Sequence, residues 1–422
     1  MPFSTNRMLQ SKLFTKTRKE APADEQSKNA ELLIRGGFIH KEMAGVYSYL
    51  PLGLRVLKNI EEIVREEMTA IGGQELLMPA LQDKVLWERT DRWDDEKVDN
   101  WFKTKFKSGG DTGLGITHEE PLTQVMSEYV QSYKDLPFSV YQFQTKFRNE
   151  MRAKSGIMRG REFLMKDLYS FSRDENEHIE FYEKVKQAYK NIFSRIGIGH
   201  LTYLTFASGG IFSKFSHEFQ TLSSSGEDTI YLHEKEGIAI NKEVFTPDVK
   251  KDLGISDDFT EYRAIEVGNI FTLGTRFSEA LGLSYKDEKD GSAPVFMGSY
   301  GIGVSRLMGT IVEVLSDDKG IIWPEEVAPF RVHLLSLGAK NDVTEKAREL
   351  YDALVEKGID VLFDDREDIG AGEKFADADL LGIPYRVVVS ERSLKDGGYE
   401  VKKRTEEKGE VLSLEKIFEM FR

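Results

Sequence analysis

The sequence predicts an α+β domain followed by a smaller α/β domain, and three features carry that expectation. Strand, basic loop and strand follow one another over residues 138–171, as in an antiparallel hairpin. A strand from Val295 reaches Gly301 and Gly303, expected to turn, and continues as a helix. Beyond Trp323 to Pro329, where two prolines break any regular element, the pattern changes to βαβαβ. The chain therefore divides into 1–328 and 329–422.

The elements follow in order. Leu54, Leu57, Ile60, Val64, Met68 and Ile71 recur at helical steps, so residues 52–71 form an amphipathic helix stopped by Gly72 and Gly73. Glu75 to Met78 is a short apolar strand whose following Pro79 assigns it to a sheet edge. Gly109, Gly110, Gly113 and Gly115 mark a hairpin, followed by a helix from about Pro121 to Tyr133. Phe138 to Arg148 and Glu162 to Phe171 are the two hairpin strands. Ser172 to Glu175 resembles a capping box. It opens a helix with Ile179, Tyr182, Val185, Tyr189, Ile192 and Phe193 on one face, closed by Gly197. Residues 228–267 read as two short strands around a polar connector, and 267–282 as mixed strand and turn. The last 90 or so residues contain strands at Val332 to Leu337, Ile359 to Phe363 and Tyr385 to Val389. Helices at Val343 to Lys357 and Gly372 to Leu381 separate them.

Composition narrows the chemistry. The 422 residues include no cysteine, which removes disulfides, thiolate zinc sites and a thiol nucleophile. The seven histidines form no HExxH pair. No apolar run is long enough to span a membrane. A net charge of −14 means that any nucleic acid must meet a local basic patch. Residues 146–166 offer one, with Lys146, Arg148, Arg152, Lys154, Arg159, Arg161 and Lys166 against Glu150 and Glu162. The first 19 residues are basic (Arg7, Lys12, Lys16, Arg18, Lys19). A transit peptide has this composition. The quick return to acidic residues and the missing apolar core favour an N-terminal arm on a cytoplasmic protein.

Three constellations carry chemistry. Arg148 ends one hairpin strand and Arg159 to Phe163 returns from the loop; a planar, always charged guanidinium there can hold a phosphoryl oxygen and a carboxylate together. Gly301 and Gly303 let backbone approach a flat ligand, and Arg306, on the first turn of the helix, can meet a phosphate tail. Gly309 gives the wrong spacing for a dinucleotide fingerprint. Thr117 and Glu119, two residues apart on an extended segment, would face one way and accept from a cationic amine. Each constellation alone is also compatible with an ordinary surface hairpin or tight connection.

Taken together, the arginine hairpin and the glycine–arginine turn resemble motifs 2 and 3 of class II aminoacyl-tRNA synthetases (about 142–171 and 295–315), with about 52–79 as motif 1. Within that class the chain is similar to bacterial-type prolyl-tRNA synthetases over nearly its whole length. The similarity rests on Tyr49 to Gly53, Thr117 to Glu120, Gln142 to Arg148, Arg161 to Asp167, Ser216 to Gln220, Arg263 to Gly268 and Gly320 to Pro324. Asp364 to Arg366, Phe375 to Asp377 and Gly382 to Pro384 resemble the family's anticodon-binding domain. The resemblance implies an antiparallel sheet of six or more strands, a homodimer built on motif 1, and ATP with Mg²⁺ as substrate, without zinc. It implies that Arg148 bridges the proline carboxylate and the α-phosphate, and that Glu150 contacts adenine or orients Arg148. Arg159 would hold the outer phosphates, Phe163 would stack on adenine, and Arg306 would clamp the γ-phosphate and adenine. Thr117 and Glu119 would bind the proline amine, and Glu162, Met165, His217 and Phe271 would wall its pocket. Glu266 and Asn269 are candidates for ribose, phosphate or magnesium contacts.

The chain departs from many such relatives in having only about 30 polar residues, Leu232 to Glu261, where they carry a hydrolytic editing insertion. It is therefore the short form, expected not to edit in cis and to depend on a separate editing protein or to tolerate some mischarging with alanine. Ser299 stands where relatives often have cysteine and is expected to be chemically silent; Thr272, where they often have glutamine, leaves its local contact open. Two other readings remain. A sister synthetase for threonine, serine, glycine or histidine is disfavoured by the missing cysteine and by different pocket motifs. A catalytically silent paralogue is disfavoured by the presence of Arg148, Glu150 and Arg306.

Overall fold

The computed structural model describes residues 7–22, 25–153, 155–208, 215–252, 254, 258–338 and 341–422. Contacts separate two units. One comprises Met1–Glu42, Tyr47–Glu62 and Ile311–Arg422, the other Met43–Val46 and Ile63–Thr310. The boundary read from sequence, 328/329, falls inside the first of these.

The second unit is built on a nine-stranded sheet. Phe138–Phe147 and Glu162–Ser172 pair antiparallel over ten positions, from Phe138 opposite Phe171 to Phe147 opposite Glu162. Strand Phe296–Gly303 lies beside the second of them, and the long strand Thr260–Gly274 beside that, both antiparallel. The sheet is not antiparallel throughout. Gly73–Glu75 pairs parallel with Ser139 to Tyr141 at the edge, earlier than the expected Glu75 to Met78 and sharing only Glu75 with it, and Thr202–Ser208 pairs parallel with Ile238–Asn241. Between Leu232 and Glu261 the described residues form two short strand segments and a short helix, Pro247–Asp252, before the long strand begins at Thr260.

Gly301 and Gly303 do not form the expected turn. The strand runs through both, because each still has ladder partners, Asp167 and Asn269 for Gly301 and Met165 for Gly303, and helix Val304–Val314 follows directly. Helix Glu175–Arg195 covers one face with Tyr182, Val185, Tyr189, Ile192 and Phe193 buried. Each such side chain contributes about 1.5–3 kcal/mol of burial. Ile179 is 50% exposed and stands outside that stripe. The cap is Asp174, whose carboxylate accepts from Glu177 N at 3.0 Å; Ser172 is still strand. The helix after the hairpin spans Glu119–Tyr129, starting and ending earlier than expected. Helix Pro51–Ala70 matches its expected span, and Gly72 (φ +89°) stops it. Its buried stripe runs through Val56, Leu57, Ile60, Val64 and Met68, leaving Leu54 44% exposed.

The first unit contains a six-stranded sheet in the order Met8–Leu9, Val361–Asp364, Val332–Leu337, Tyr385–Ser390, Tyr399–Lys403, Glu410–Leu412. The first four are parallel, and the Val-rich strands among them fit a sheet covered on both faces. Helices Asn341–Glu356, Ala371–Leu381 and Leu414–Met420 accompany it. Met8–Leu9 of the basic N-terminal arm form an edge strand of this sheet. Gln10 Oε1 lies 2.8 Å from His333 Nε2, and Ser11 N and Oγ donate to Asp365 at 3.0 and 2.8 Å.

Candidate active site

The hairpin strands, Phe296–Gly303 and Thr260–Gly274 form the floor of an open cleft of about 570 Å³. Strand alternation decides what faces it. Phe163 and Met165 line it from the second hairpin strand, and Arg148 from just beyond the first. Gly301 supplies the flat part of the floor. A Cβ there would sit 2.5 Å from Met165 Cε and 2.8 Å from Asn269 Oδ1.

Both expected arginines line this cleft. Arg306 is held by three bonds: Nε donates to the Met158 carbonyl (2.8 Å), and Nη1 to the Glu266 carbonyl (2.8 Å) and to Glu266 Oε2 (3.2 Å). Asn269 Nδ2 donates to Glu266 Oε1 at 2.9 Å. Three residues apart on a regular strand, these two side chains would face opposite ways. A β-bulge removes the conflict: Gln220 pairs with Glu266 and Phe219 with Gly268, leaving Val267 as the extra residue. The Arg148 guanidinium lies over the Phe163 ring, 5.2 Å from its centroid. Burial and then the nearby Arg306 push its pKa down, with Glu266 and Glu150 opposing.

Glu150 binds Arg159 rather than Arg148. Its Oε2 accepts from Arg159 Nε (3.0 Å) and Nη2 (2.8 Å), while Arg159 Nη1 reaches Glu227 at 2.5 Å. The basic patch summed from sequence is thereby corrected. Lys146 and Lys166 are fully buried, Arg159 is paired with two carboxylates, and Arg161 is tied to the carbonyls of Glu150 and Ala44. Arg152 is exposed, and Lys154 lies outside the described residues. Adding charges along the chain could not reveal this, because Glu227 is remote in sequence.

Thr117 and Glu119 are together, though not on one strand: Glu119 is the first residue of a helix. Thr117 Oγ1 donates to Glu119 Oε2 at 2.6 Å, and Arg92 Nη1 lies 3.5 Å from the same oxygen. The Ser299 hydroxyl donates to the other carboxylate oxygen, Glu119 Oε1, at 3.3 Å. Thr272 Oγ1 meets His178 Nε2 at 2.9 Å. Phe271 pairs with Ser299 in the ladder and is partly buried beside the cluster around Leu122 and Tyr169.

Two expected wall residues are elsewhere. Glu162 is exposed, one residue out of phase with Phe163, so alternation turns it away from the cleft. His217 faces helix Glu175–Arg195, with Nδ1 2.8 Å from Tyr182 Oη, and burial lowers its pKa to about 4. The neighbouring residue, Glu218, takes the cleft-side place opposite Asn269 in the ladder. Burial and then Glu266 push its pKa up to about 8. Its Oε2 accepts from Gln220 Nε2 (3.0 Å), which also donates to Asp228 (2.7 Å). An adjoining hollow of about 720 Å³ is lined by Glu227, Asp228, Glu266 and Arg306 among others. Sequence reading missed Glu218, Glu227 and Asp228; the alternation of the SHEFQ stretch is visible only once its sheet neighbours are known. Among the described residues no group of three or more His, Asp or Glu side chains is arranged to hold a metal by itself.

Comparison with known proteins shows the family and the fold. Residues 102–315 match the family model for the tRNA synthetase class II core domain (G, H, P, S and T), and residues 331–422 the anticodon binding domain. The chain is 40% identical over 433 residues to proline–tRNA ligase of Rhodopseudomonas palustris (strain HaA2), covering 96% of this chain and 98% of the relative. It is 39% identical to that of Rickettsia bellii (strain OSU 85-389), covering 97% of each. Among solved structures, Giardia lamblia prolyl-tRNA synthetase in complex with prolyl-adenylate superimposes with a TM-score of 0.77 at 19% identity. That match covers 92% of this chain and 74% of the other. The Cryptosporidium parvum enzyme complexed with L-proline and AMP gives 0.75 at 16% identity, covering 92% and 73%. The chain belongs to the proline–tRNA ligase family of class II tRNA synthetases.

Proposed function

We propose that this chain activates L-proline with MgATP and transfers it to tRNA(Pro). A proline carboxylate oxygen attacks the α-phosphorus, the bond to the β-phosphate oxygen breaks, and pyrophosphate leaves; a terminal ribose hydroxyl of tRNA then takes the prolyl group and releases AMP. Neither step needs a protein nucleophile, so positioning and cationic stabilisation of the phosphoryl charge are what the residues must supply. The observation that carries the reading is the convergence of Arg148 and Arg306 on one glycine-floored cleft.

In this reading Arg148 bridges carboxylate and α-phosphate, Arg306 meets the outer phosphates and adenine, and Phe163 offers a ring to adenine. Arg159 and Glu150 act as a pair at the nucleotide. Thr117 and Glu119 accept from the proline ammonium, with Met165 and Phe271 against its ring. Class II synthetases use ATP with Mg²⁺, and Mg²⁺ on a nucleotide needs only one or two protein carboxylates. Glu266 fits that need, with Glu218 beside it; burial first and then Glu266 raise the Glu218 pKa, and a cation would relieve the second of these. Asn269 supports Glu266.

We assign residues 1–328 to catalysis and 329–422 to anticodon reading, a homodimer to the motif 1 region, and a cytoplasmic location. Leu77, 76% exposed within that region, supports the dimer. No helix among the described residues is long and apolar enough to cross a membrane. With Leu232 to Glu261 as short as it is, editing falls to a separate protein. Pyrophosphate exchange screened over the twenty amino acids tests the function. Proline-dependent exchange is expected; no exchange, or a higher kcat/KM for another amino acid, overturns it.

A further inference from the structure

Lys146 is completely buried two residues before Arg148. Its ammonium donates to Asp167 Oδ2 at 2.9 Å and lies 2.6 Å from His118 Nδ1. His118 Nε2 is 3.1 Å from the carbonyl of Pro79. A carbonyl only accepts, so Nε2 carries the ring proton and Nδ1 accepts from Lys146. The His118 backbone N–H donates to Tyr169 Oη (3.1 Å), which donates to Asp167 Oδ2 (3.0 Å). The residue between Thr117 and Glu119 is thus gripped at both ring nitrogens and at its peptide N–H.

A buried ion pair is a poor way to gain stability, because desolvating each ion costs several kcal/mol and an apolar pair of similar volume does as well or better. Its place matters more. The network holds the residue between the hydroxyl and carboxylate proposed for the imino acid, and its cation stands opposite the cleft-lining Phe163 in the hairpin, two residues before Arg148. We propose that Lys146 is a positioning residue: through His118 it fixes Thr117 and Glu119 relative to Arg148, so that the ammonium and carboxylate of the amino acid are held at the right separation. This inference rests on the function proposed above.

The test is pyrophosphate exchange with proline and ATP varied separately. Lys146→Met should raise KM for proline at least about tenfold and leave KM for ATP within about twofold. His118→Gln keeps an acceptor for Lys146 and a donor for Pro79 and should stay within about threefold of the wild type. His118→Leu loses both bonds and should behave like Lys146→Met. If Lys146→Met does not fold, the His118 pair decides. An unchanged proline KM, equal rises for proline and ATP, or His118→Gln no better than His118→Leu would each overturn the proposal. A wild type without proline-dependent exchange would instead sink the function on which it rests.

Discussion

Replacing Arg148 by alanine separates catalysis from folding. Its side chain makes no ion pair among the described residues; its packing contact is the Phe163 ring at 5.2 Å, worth about 0.5–1 kcal/mol. Against that loss, the variant sheds a charge that burial and Arg306 both disfavour. The two effects offset, so stability should change by less than about 1 kcal/mol, a few degrees in Tm. The catalytic loss should be far larger. A guanidinium stabilising phosphoryl charge contributes about 10³–10⁵ in rate, so proline-dependent pyrophosphate exchange should fall at least ~10³-fold. Arg148→Lys keeps the charge but not the planar fork and should fall between. Exchange within tenfold of wild type in a folded Arg148→Ala protein would refute the reasoning.

The remaining predictions concern charge and the N-terminal arm. Glu218 binds its proton more tightly folded than unfolded, so it stabilises fully below about pH 4.5 and loses that contribution as pH rises through about 8. The Tm of Glu218→Gln minus that of the wild type should therefore grow between pH 5 and 9; parallel curves would contradict the raised pKa. Deleting residues 1–12 uncovers the edge of strand Val361–Asp364 and removes the partners of His333 and Asp365. It should raise KM for tRNA in aminoacylation more than KM for proline in exchange, and equal effects would argue against a local role. Arg152→Ala should flatten the salt dependence of tRNA binding by less than one unit of log–log slope. A larger change would mean that the loop carries more free charge than its pairing indicates.

The sequence disclosed what local patterning controls. Helix Pro51–Ala70, the hairpin at 138–172 and the parallel strands after Val332 appear where periodicity and glycine stops put them. What it hid depends on pairing between distant segments. Gly301 and Gly303 read as a turn because glycine usually marks one, yet ladder partners on both sides of Gly301 and on one side of Gly303 keep them extended. His217 and Glu162 sit one residue from cleft-facing positions, and on a strand one residue is the whole difference between two faces. The Val267 bulge that brings Glu266 beside Asn269 has no local signature. Burial of Lys146 and Lys166 is equally invisible, since composition alone assigns lysine to the surface.

On the proposed roles, amino-acid selectivity follows from a division of labour between polar and apolar contacts. With the roles proposed above, proline and alanine would offer the same carboxylate to Arg148 and an ammonium to Glu119 and Thr117, so these polar contacts would hardly distinguish them. Discrimination is left to the ring methylenes against Met165 and Phe271, and an apolar pocket rejects a ligand that is merely smaller by about 1–3 kcal/mol, or roughly 10–200-fold. Alanine-dependent exchange should therefore be measurable, with kcat/KM below that for proline by about this factor or somewhat more. Widening the wall with Met165→Ala should narrow the gap from the proline side. A wild-type ratio above about 10⁵ would mean that a polar group senses the difference between the two amines, and the apolar account of the pocket would be wrong.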